Sequence, residues 1–547
     1  MTGLVSGDGR MQRLARSFGT FVLLAGLLLL LPEAIRVRAA SGPPGPDRYT
    51  TIVVKYTLYE WWLVRWDNNG IECRFFTDHD GLPTGGEIYN SCGKTIYKEW
   101  IETLSCPQGE IGVDTSACDG YYLQLVTSKP AQREIGVALP PPVVWVSLEN
   151  CTPKSTSYWC HTLPTLVLVG EDPLPNETIL SVEGTIDGKP FTCGQVCKLP
   201  LGPTNELGII VEFWAYSSYG DSSERFEALV RVLPAEEGLR QVAFWYADVL
   251  STQWTGTPVG SCAQSWESFP PPGGPPHWLT TPEHPTDLES NISYEYLAAN
   301  LIVQGVVDVS ECPDKGLTSE GTASLCGLEA AQPAVTEWQN RFDHLIFDVA
   351  QETGIPAQLL KNLFSRESQF WPGVFTDAPE FGLGQMTENG ADTALLWNSS
   401  FYEQFCPLVL DVSVCKKGYA RLKAEEQAIL RGAVVRSVNA FCAECPLGLD
   451  LQQADFSVGV FAQTLLANCE QTGRIVRNVA RQAPGKVVGY EDMWRFALVN
   501  YNAGPGCLSI AVQDTWNDRQ PLDWEHVSVH LTPVCQGAID YVEDISR

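Results

Sequence analysis

Eighteen cysteines fall into two even groups, eight between Cys73 and Cys197 and ten between Cys262 and Cys535. An even set of thiols is most simply a disulfide framework, and such frameworks persist in oxidising compartments. Because each group is even, each half of the chain can close on itself. Cys442 and Cys445 form a CxxC pair, and Cys193 and Cys197 a close second pair. A zinc site needs four ligands, usually two spaced pairs or cysteines joined by histidines. The chain has seven histidines and none lies near Cys442. Disulfides are therefore the expectation, with no metal or other cofactor. The spacing leaves their connectivity open.

The N-terminus points to the same compartment. Arg10, Arg13 and Arg16 precede an apolar run over residues 18–31, and small residues follow at Ala39, Ala40 and Ser41. This is the three-part layout of an export signal covering residues 1–40. The fourteen-residue run is shorter than the roughly 20 residues that span a bilayer as a helix. Retention as an anchor is the alternative, and it is the one route to a membrane. The expected location is secreted, in the cell envelope. Net charge is −29, from 36 basic and 65 acidic residues, and loss of residues 1–40 (five Arg, two acids) takes it to −32. Such acidity argues against nucleic acid as a partner and leaves neutral polymers such as polysaccharides open.

At 547 residues the chain exceeds one ordinary core, so several domains are expected. Residues 41–163 read as a cysteine-containing β-rich domain. Residues 49–66 are dense in Thr, Val, Tyr and Trp, Asp67-Asn68-Asn69-Gly70 signals a turn, and Ile71–Thr77 returns. Tyr59, Trp61, Trp62 and Trp66 could stack sugars, but packing of a small sheet is the better reading. Residues 164–238 form a second β-rich unit, with strands expected at 165–169, Ile179–Ile186, 208–216 and 227–233. That spacing suggests a sandwich of immunoglobulin type. Phe213-Trp214-Ala215-Tyr216, followed by residues 217–223, resembles the last strands of bacterial immunoglobulin-like repeats. Residues 239–285 read as a Pro-rich linker around Phe269-Pro270-Pro271-Pro272-Gly273-Gly274-Pro275-Pro276. Residues 286–547 read as one α-rich domain, with helical spacing over 294–307, 330–353 and 356–370.

One helix carries a chemical signal. It is expected to begin at Pro356, a good first helical residue. Leu360, Leu363, Phe364 and Glu367 then fall at i, i+3, i+4 and i+7, which puts Glu367 on the apolar stripe. Desolvation disfavours a carboxylate and raises its pKa, as a general acid requires. The bland alternative is a helix-end Glu reaching solvent or Arg366.

Three segments together resemble the lytic transglycosylase (SLT) family of lysozyme-like enzymes. Gly354-Ile355-Pro356 through Arg366-Glu367-Ser368-Gln369-Phe370 is similar to the family helix ending in Glu-Ser-x-Phe. Gly382-Leu383-Gly384-Gln385-Met386-Thr387 is similar to its Gly-Leu-Met-Gln segment. Asn500-Tyr501-Asn502-Ala503-Gly504-Pro505-Gly506 is similar to its Ala-Tyr-Asn-Ala-Gly-x-Gly. The likeness covers roughly residues 340–510 and implies a lysozyme-like fold for the C-terminal domain.

It also implies an enzyme that cleaves peptidoglycan, or a related amino-sugar polysaccharide, between N-acetylmuramic acid and N-acetylglucosamine. Glu367 would protonate the leaving oxygen and then accept the 6-hydroxyl proton as a 1,6-anhydro ring closes, and Tyr501 would support the charge or orient Glu367. Ser368, Gln385, Met386, Asn502 and Gly382 would bind substrate. The chain departs from the family at Gly384, where Met is usual. It departs again in Asp455-Phe456-Ser457-Val458-Gly459-Val460-Phe461-Ala462-Gln463, where the family has Asn first and Tyr in place of Ala462. About 110 residues separate Gln385 from the third segment and carry five cysteines, which suggests a disulfide-bonded insertion. A muramidase or chitinase-like hydrolase is the first alternative. It needs a second carboxylate, with Glu380 the candidate ahead of Asp377, Glu388 and Asp392. A non-catalytic glycan-binding surface protein is the second.

Overall fold

The computed structural model describes residues 48–103, 119–154, 157–235, 244–256, 261–290, 292–373 and 380–547. The expected export signal and Asp377 lie outside the described residues. The chain divides into two compact units, and secondary structure changes from strands in the N-terminal half to helices in the C-terminal half.

The first unit is built on a three-stranded antiparallel sheet of order β2-β1-β3, with β1 Tyr49–Arg65, β2 Ile71–Thr77 and β3 Tyr121–Ala138. Asn69 adopts φ 53° in the β1–β2 turn, and Gly70 N donates to Asn68 Oδ1 at 2.6 Å. Asn is one of the few residues that hold such a conformation cheaply. Helices α1 (Gly85–Cys92) and α2 (Lys94–Glu102) follow. The core is small: Trp61, Leu63, Phe75, Ile88 and Tyr121. The Cys73–Cys92 disulfide ties β2 to α1. Of the aromatic group, Trp61 fills this core, Trp62 lies beneath the Arg74 guanidinium, and Trp66 packs on Tyr122. Packing accounts for all three.

The second unit begins with strands β4 (Val143–Lys154), β5 (Ser157–Glu171), β6 (Ile179–Ile186), β7 (Lys189–Cys193), β8 (Val196–Pro200), β9 (Ile209–Ser217), β10 (Phe226–Ala235) and β11 (Phe244–Leu250). They form one antiparallel sheet of order β4-β5-β11-β10-β9-β6-β7, with β8 also on β5. Along β5, residues 158–160 pair with β11 and residues 165–169 with β8. This change of partner brings β4 and β5 against β9 and β6, and Val146, Leu168, Val182, Phe213 and Val230 are sealed between them. The expected boundary at 163/164 falls inside β5, and the expected end at 238 leaves out β11. The β-rich unit therefore spans 143–250.

The expected linker at 239–285 is also corrected. Arg231 on β10 makes a buried ion pair with Asp248 (2.6 Å) and donates to Pro270 O (2.6 Å), with its guanidinium over Phe269. The prolines deny that segment a helix, and the arginine gives its backbone a fixed partner instead. Helix α3 (Ser261–Trp266) is bonded to the helical core by Cys262–Cys469, and Trp266 Nε1 donates to Cys469 O at 2.9 Å. Trp266, Trp278 and Leu279 are buried in that core. The α-rich region thus begins near 261, not 286.

Its helices are α4 (Glu295–Val303), α5 (Leu325–Asn340), α6 (Asp343–Thr353), α7 (Ala357–Ser368), α8 (Glu388–Trp397), α9 (Ser399–Phe405), α10 (Val412–Cys415), α11 (Ala424–Val438), α12 (Leu451–Ala480), α13 (Tyr490–Asn517), α14 (Trp524–Val529) and α15 (Gly537–Ile545). The single periodicity over 330–353 is two helices, broken between Asn340 and Asp343. Pro356 is the residue before α7 rather than its first turn, with ψ 127°.

All sixteen cysteines among the described residues are paired, and each of the eight bridges stays within one of the two groups. Such density fits an oxidising, extracytoplasmic environment. Among the described residues no helix is long and apolar enough to cross a membrane.

Candidate active site

Helix α7 is central rather than amphipathic. Nine of its twelve residues are buried, and a helix enclosed on nearly every side must find a partner for each polar group. Lys361 is 1% exposed and pairs with Asp343 at 2.5 Å, with further bonds to Asn340 Oδ1 and Gln339 O. Gln358 Nε2 donates to Glu289 O. The start of α7 is held by Thr281 Oγ1 and Thr280 O, which accept from Ala357 N and Gln358 N. These ties fix the axis that carries Glu367.

The end of α7 is equally constrained. Gln369 and Phe370 both take left-handed conformations, φ 49° and 61°, costly for a side chain as bulky as Phe. Gln369 Oε1 accepts from Tyr296 N and Leu297 N at the start of α4. Phe370 is buried against Phe342, and its carbonyl accepts from Trp338 Nε1 at 2.8 Å. The turn directly after Glu367 is thus held by α4 and by the α5–α6 junction.

Glu367 lies on the wall of a cavity of about 330 Å³. Residues Glu380, Gln385 and Met386 complete one side, α8 gives Asn389 and Thr393, α12 gives Thr464 and Asn468, and α13 gives Asn500, Tyr501 and Asn502. Amides and hydroxyls dominate these walls, the chemistry that meets sugar hydroxyl and acetamido groups. A larger surface cavity of about 590 Å³, near Tyr402 and Arg421, has one acid, the exposed Glu403. Among the described residues no group of three or more His, Cys, Asp or Glu could hold a metal ion.

Burial pushes the Glu367 carboxyl up to about 7, and the charge of Glu380 adds to the rise; the Tyr541 hydrogen bond and Arg366 oppose it. Tyr541, on α15, donates to Glu367 Oε1 at 2.5 Å. Burial first, and then the charge of Glu367, hold both the Tyr541 and Tyr501 phenols well above their ordinary range. Both remain neutral donors at neutral pH.

Tyr501 does not bond Glu367. Its hydroxyl donates to Gly384 O at 2.6 Å, so it pins the 381–386 turn while its ring faces the cavity. A Cβ on Gly384 would stand 2.5 Å from Phe461 Cδ1 and 2.8 Å from Tyr501 Oη. Any side chain at this position would have to displace Phe461 or Tyr501, so Gly384 answers to packing.

Two of the expected substrate contacts, Ser368 and Gly382, do not line the cavity. Ser368 is 1% exposed, and its hydroxyl donates to Leu383 O at 2.7 Å, fastening the turn to α7. Gly382 does not line the cavity; at φ 74°, a Cβ there would meet Val438 O at 2.4 Å. Gln385, Met386 and Asn502 do line it. Gln385, left-handed at φ 51°, donates from Nε2 to Gly382 O, which shapes the turn. Helix α13 breaks at Gly504 (φ 84°) and restarts at Pro505, and the break contributes Ala503, Gly504 and Pro505 to the wall. Asp455 is exposed and outside the cavity. Sequence reasoning did not single out Tyr541, Thr464, Asn468 or Asn500. Thr464 and Asn468 are one turn apart on α12 with Leu465, Leu466 and Ala467 between them, so two polar residues share one face of the helix, and that was the readable signal.

No family model matches the chain, and comparison with curated proteins and with solved structures gave no match.

Proposed function

We propose that this protein is an exported lytic transglycosylase with a lysozyme-like catalytic region, cleaving the β-1,4 bond of peptidoglycan or a related amino-sugar polysaccharide. The observation that carries this reading is a glutamic acid on the wall of a polar cavity, its carboxyl pushed up to about 7 by burial, with a tyrosine hydroxyl bonded to it. Glu367 gives its proton to the bridging oxygen as the bond breaks, then takes the proton of the 6-hydroxyl that closes the anhydro ring. Tyr541 aims the carboxyl, and Tyr501 holds the turn that carries Gln385. Gln385, Met386 and Asn502 contact the sugars. The eight-stranded unit serves as an immunoglobulin-like spacer.

Zymography on peptidoglycan tests the proposal. Wild type clears and Glu367→Gln does not; equal clearing by both sinks it. Hydrolysis is the second reading, supported by Glu380 in the same wall as Glu367. Mass spectrometry of the products separates the two, with anhydro ends for the transglycosylase and reducing ends for the hydrolase.

A further inference from the structure

The chain between α11 and α12, residues 439–450, closes into a short hairpin. Phe441 and Leu449 form a bridge, Asp450 N donates to Ala440 O at 2.8 Å, and Cys442 N donates to Gly448 O at 2.9 Å. The Cys442–Cys445 disulfide braces the tip, and Asn439 Oδ1 accepts from Phe441 N. A loop tied at so many points presents its side chains in fixed positions, yet Phe441 is 60% exposed. Phe456, near the start of α12, is 58% exposed. Single exposed apolar residues are ordinary on a surface, but these two line one depression of about 710 Å³. Among the described residues no aromatic ring or cation stacks on either.

Polar groups share the depression. Arg436, on α11, and Asp450 both line it, and among the described residues neither is paired with the other or with a third charge. Asp450 Oδ1 caps α12 by accepting from Gln452 N and Gln453 N, which leaves its second oxygen for another donor. One cation and one anion suit a ligand that is uncharged overall and carries both donors and acceptors. A pyranose ring has that chemistry, with C–H groups for an aromatic face and hydroxyls around its rim. We infer that this depression is a second glycan-binding site, in which Phe441 and Phe456 lie against sugar rings while Arg436 and Asp450 take their hydroxyls. This rests on the glycan-cleaving reading above. The depression shares no residue with the Glu367 cavity, but both are served by α12. Thr464, in the cavity wall, is eight residues beyond Phe456, roughly 12 Å at the helical rise. A strand of several sugars reaches both sites, so a long glycan is held twice and a short fragment once.

Cleavage rates of the full chain on insoluble peptidoglycan and on the shortest soluble fragment it cleaves test this. They are measured for wild type, for Phe441→Ala with Phe456→Ala, and for Phe441→Tyr with Phe456→Tyr. The ratio of the two rates divides out any loss of folded protein. In the alanine pair it is expected to fall about 10-fold, because the second hold on the polymer is gone. In the tyrosine pair, which keeps both ring faces, it stays within about twofold of wild type. An unchanged ratio in the alanine pair overturns the inference. So does an equal fall in the tyrosine pair, because packing rather than the ring faces would then be the cause. Sedimentation with insoluble peptidoglycan separates this reading from the one it rests on. A wild-type chain that cleaves nothing but is carried down, and is released by the alanine pair, removes only the cleavage reading. Cleavage with a ratio indifferent to positions 441 and 456 removes only this one, and a chain that neither cleaves nor sediments removes both.

Discussion

Glu367 sets the pH behaviour at the scale of single residues. With its carboxyl near 7, activity is expected to hold below that pH and to fall as pH rises through it and the acid loses its proton. Tyr541→Phe removes a hydrogen bond that favours the anion, so this limb moves to higher pH, while kcat drops about tenfold. Stability follows the same linkage. A carboxyl raised in the folded state binds more protons there than in the unfolded chain between about 4.5 and about 7. The ionised form thus destabilises the fold as pH rises through that window, by at most about 3 kcal/mol. Glu367→Gln should melt above wild type at pH 8 and level with it at pH 4; the same difference at both values contradicts this. Gly384→Met is expected to cost about 1–3 kcal/mol by overpacking Phe461 and Tyr501, read as a lowered Tm. Glu367 was legible in sequence because helical spacing and a three-segment likeness met on it. Tyr541 was not, since it arrives from 174 residues away on a helix with no chemical marker.

Helix α7 shows, among the elements, how a charge can serve as scaffold. Lys361 and Asp343 are both nearly sealed from solvent, and losing one partner strands the other. Lys361→Met alone should destabilise by about 3–5 kcal/mol, and Lys361→Met with Asp343→Leu should recover most of it. Urea unfolding of the two variants checks this; equal loss in both would show that the pair is not the source. The hairpin of β1 and β2 was legible because its turn residues and aromatic strands agree locally. The reach of β5 was not, because two of its partners, β8 and β11, come from later segments. The ordered proline run escaped for the same reason, since Arg231, which holds it, lies far upstream.

Across the whole molecule, the two units differ in what holds them. Among the described residues, the first has five buried apolar side chains in its core and leans on Cys73–Cys92, as small domains commonly do. Calorimetry is expected to give two transitions, the smaller one lost first on mild reduction; one transition, unaffected by reductant, contradicts it. Composition and cysteine parity made a two-part, oxidised chain legible. They could not reveal that helical packing starts at the supposed linker, because that depends on a bridge between residues 207 positions apart.

That bridge also bears on how the protein is made. Apart from Cys262–Cys469, the described disulfides close loops of 3 to 28 residues, so each can form soon after its second cysteine emerges. Cys262 must wait while Cys312, Cys326, Cys406, Cys415, Cys442 and Cys445 are synthesised ahead of its partner. The nascent chain therefore carries one long-lived thiol among six nearer suitors. Early mispairing would have to be undone by thiol–disulfide exchange, and Cys262 is the residue at which a disulfide isomerase would speed that correction.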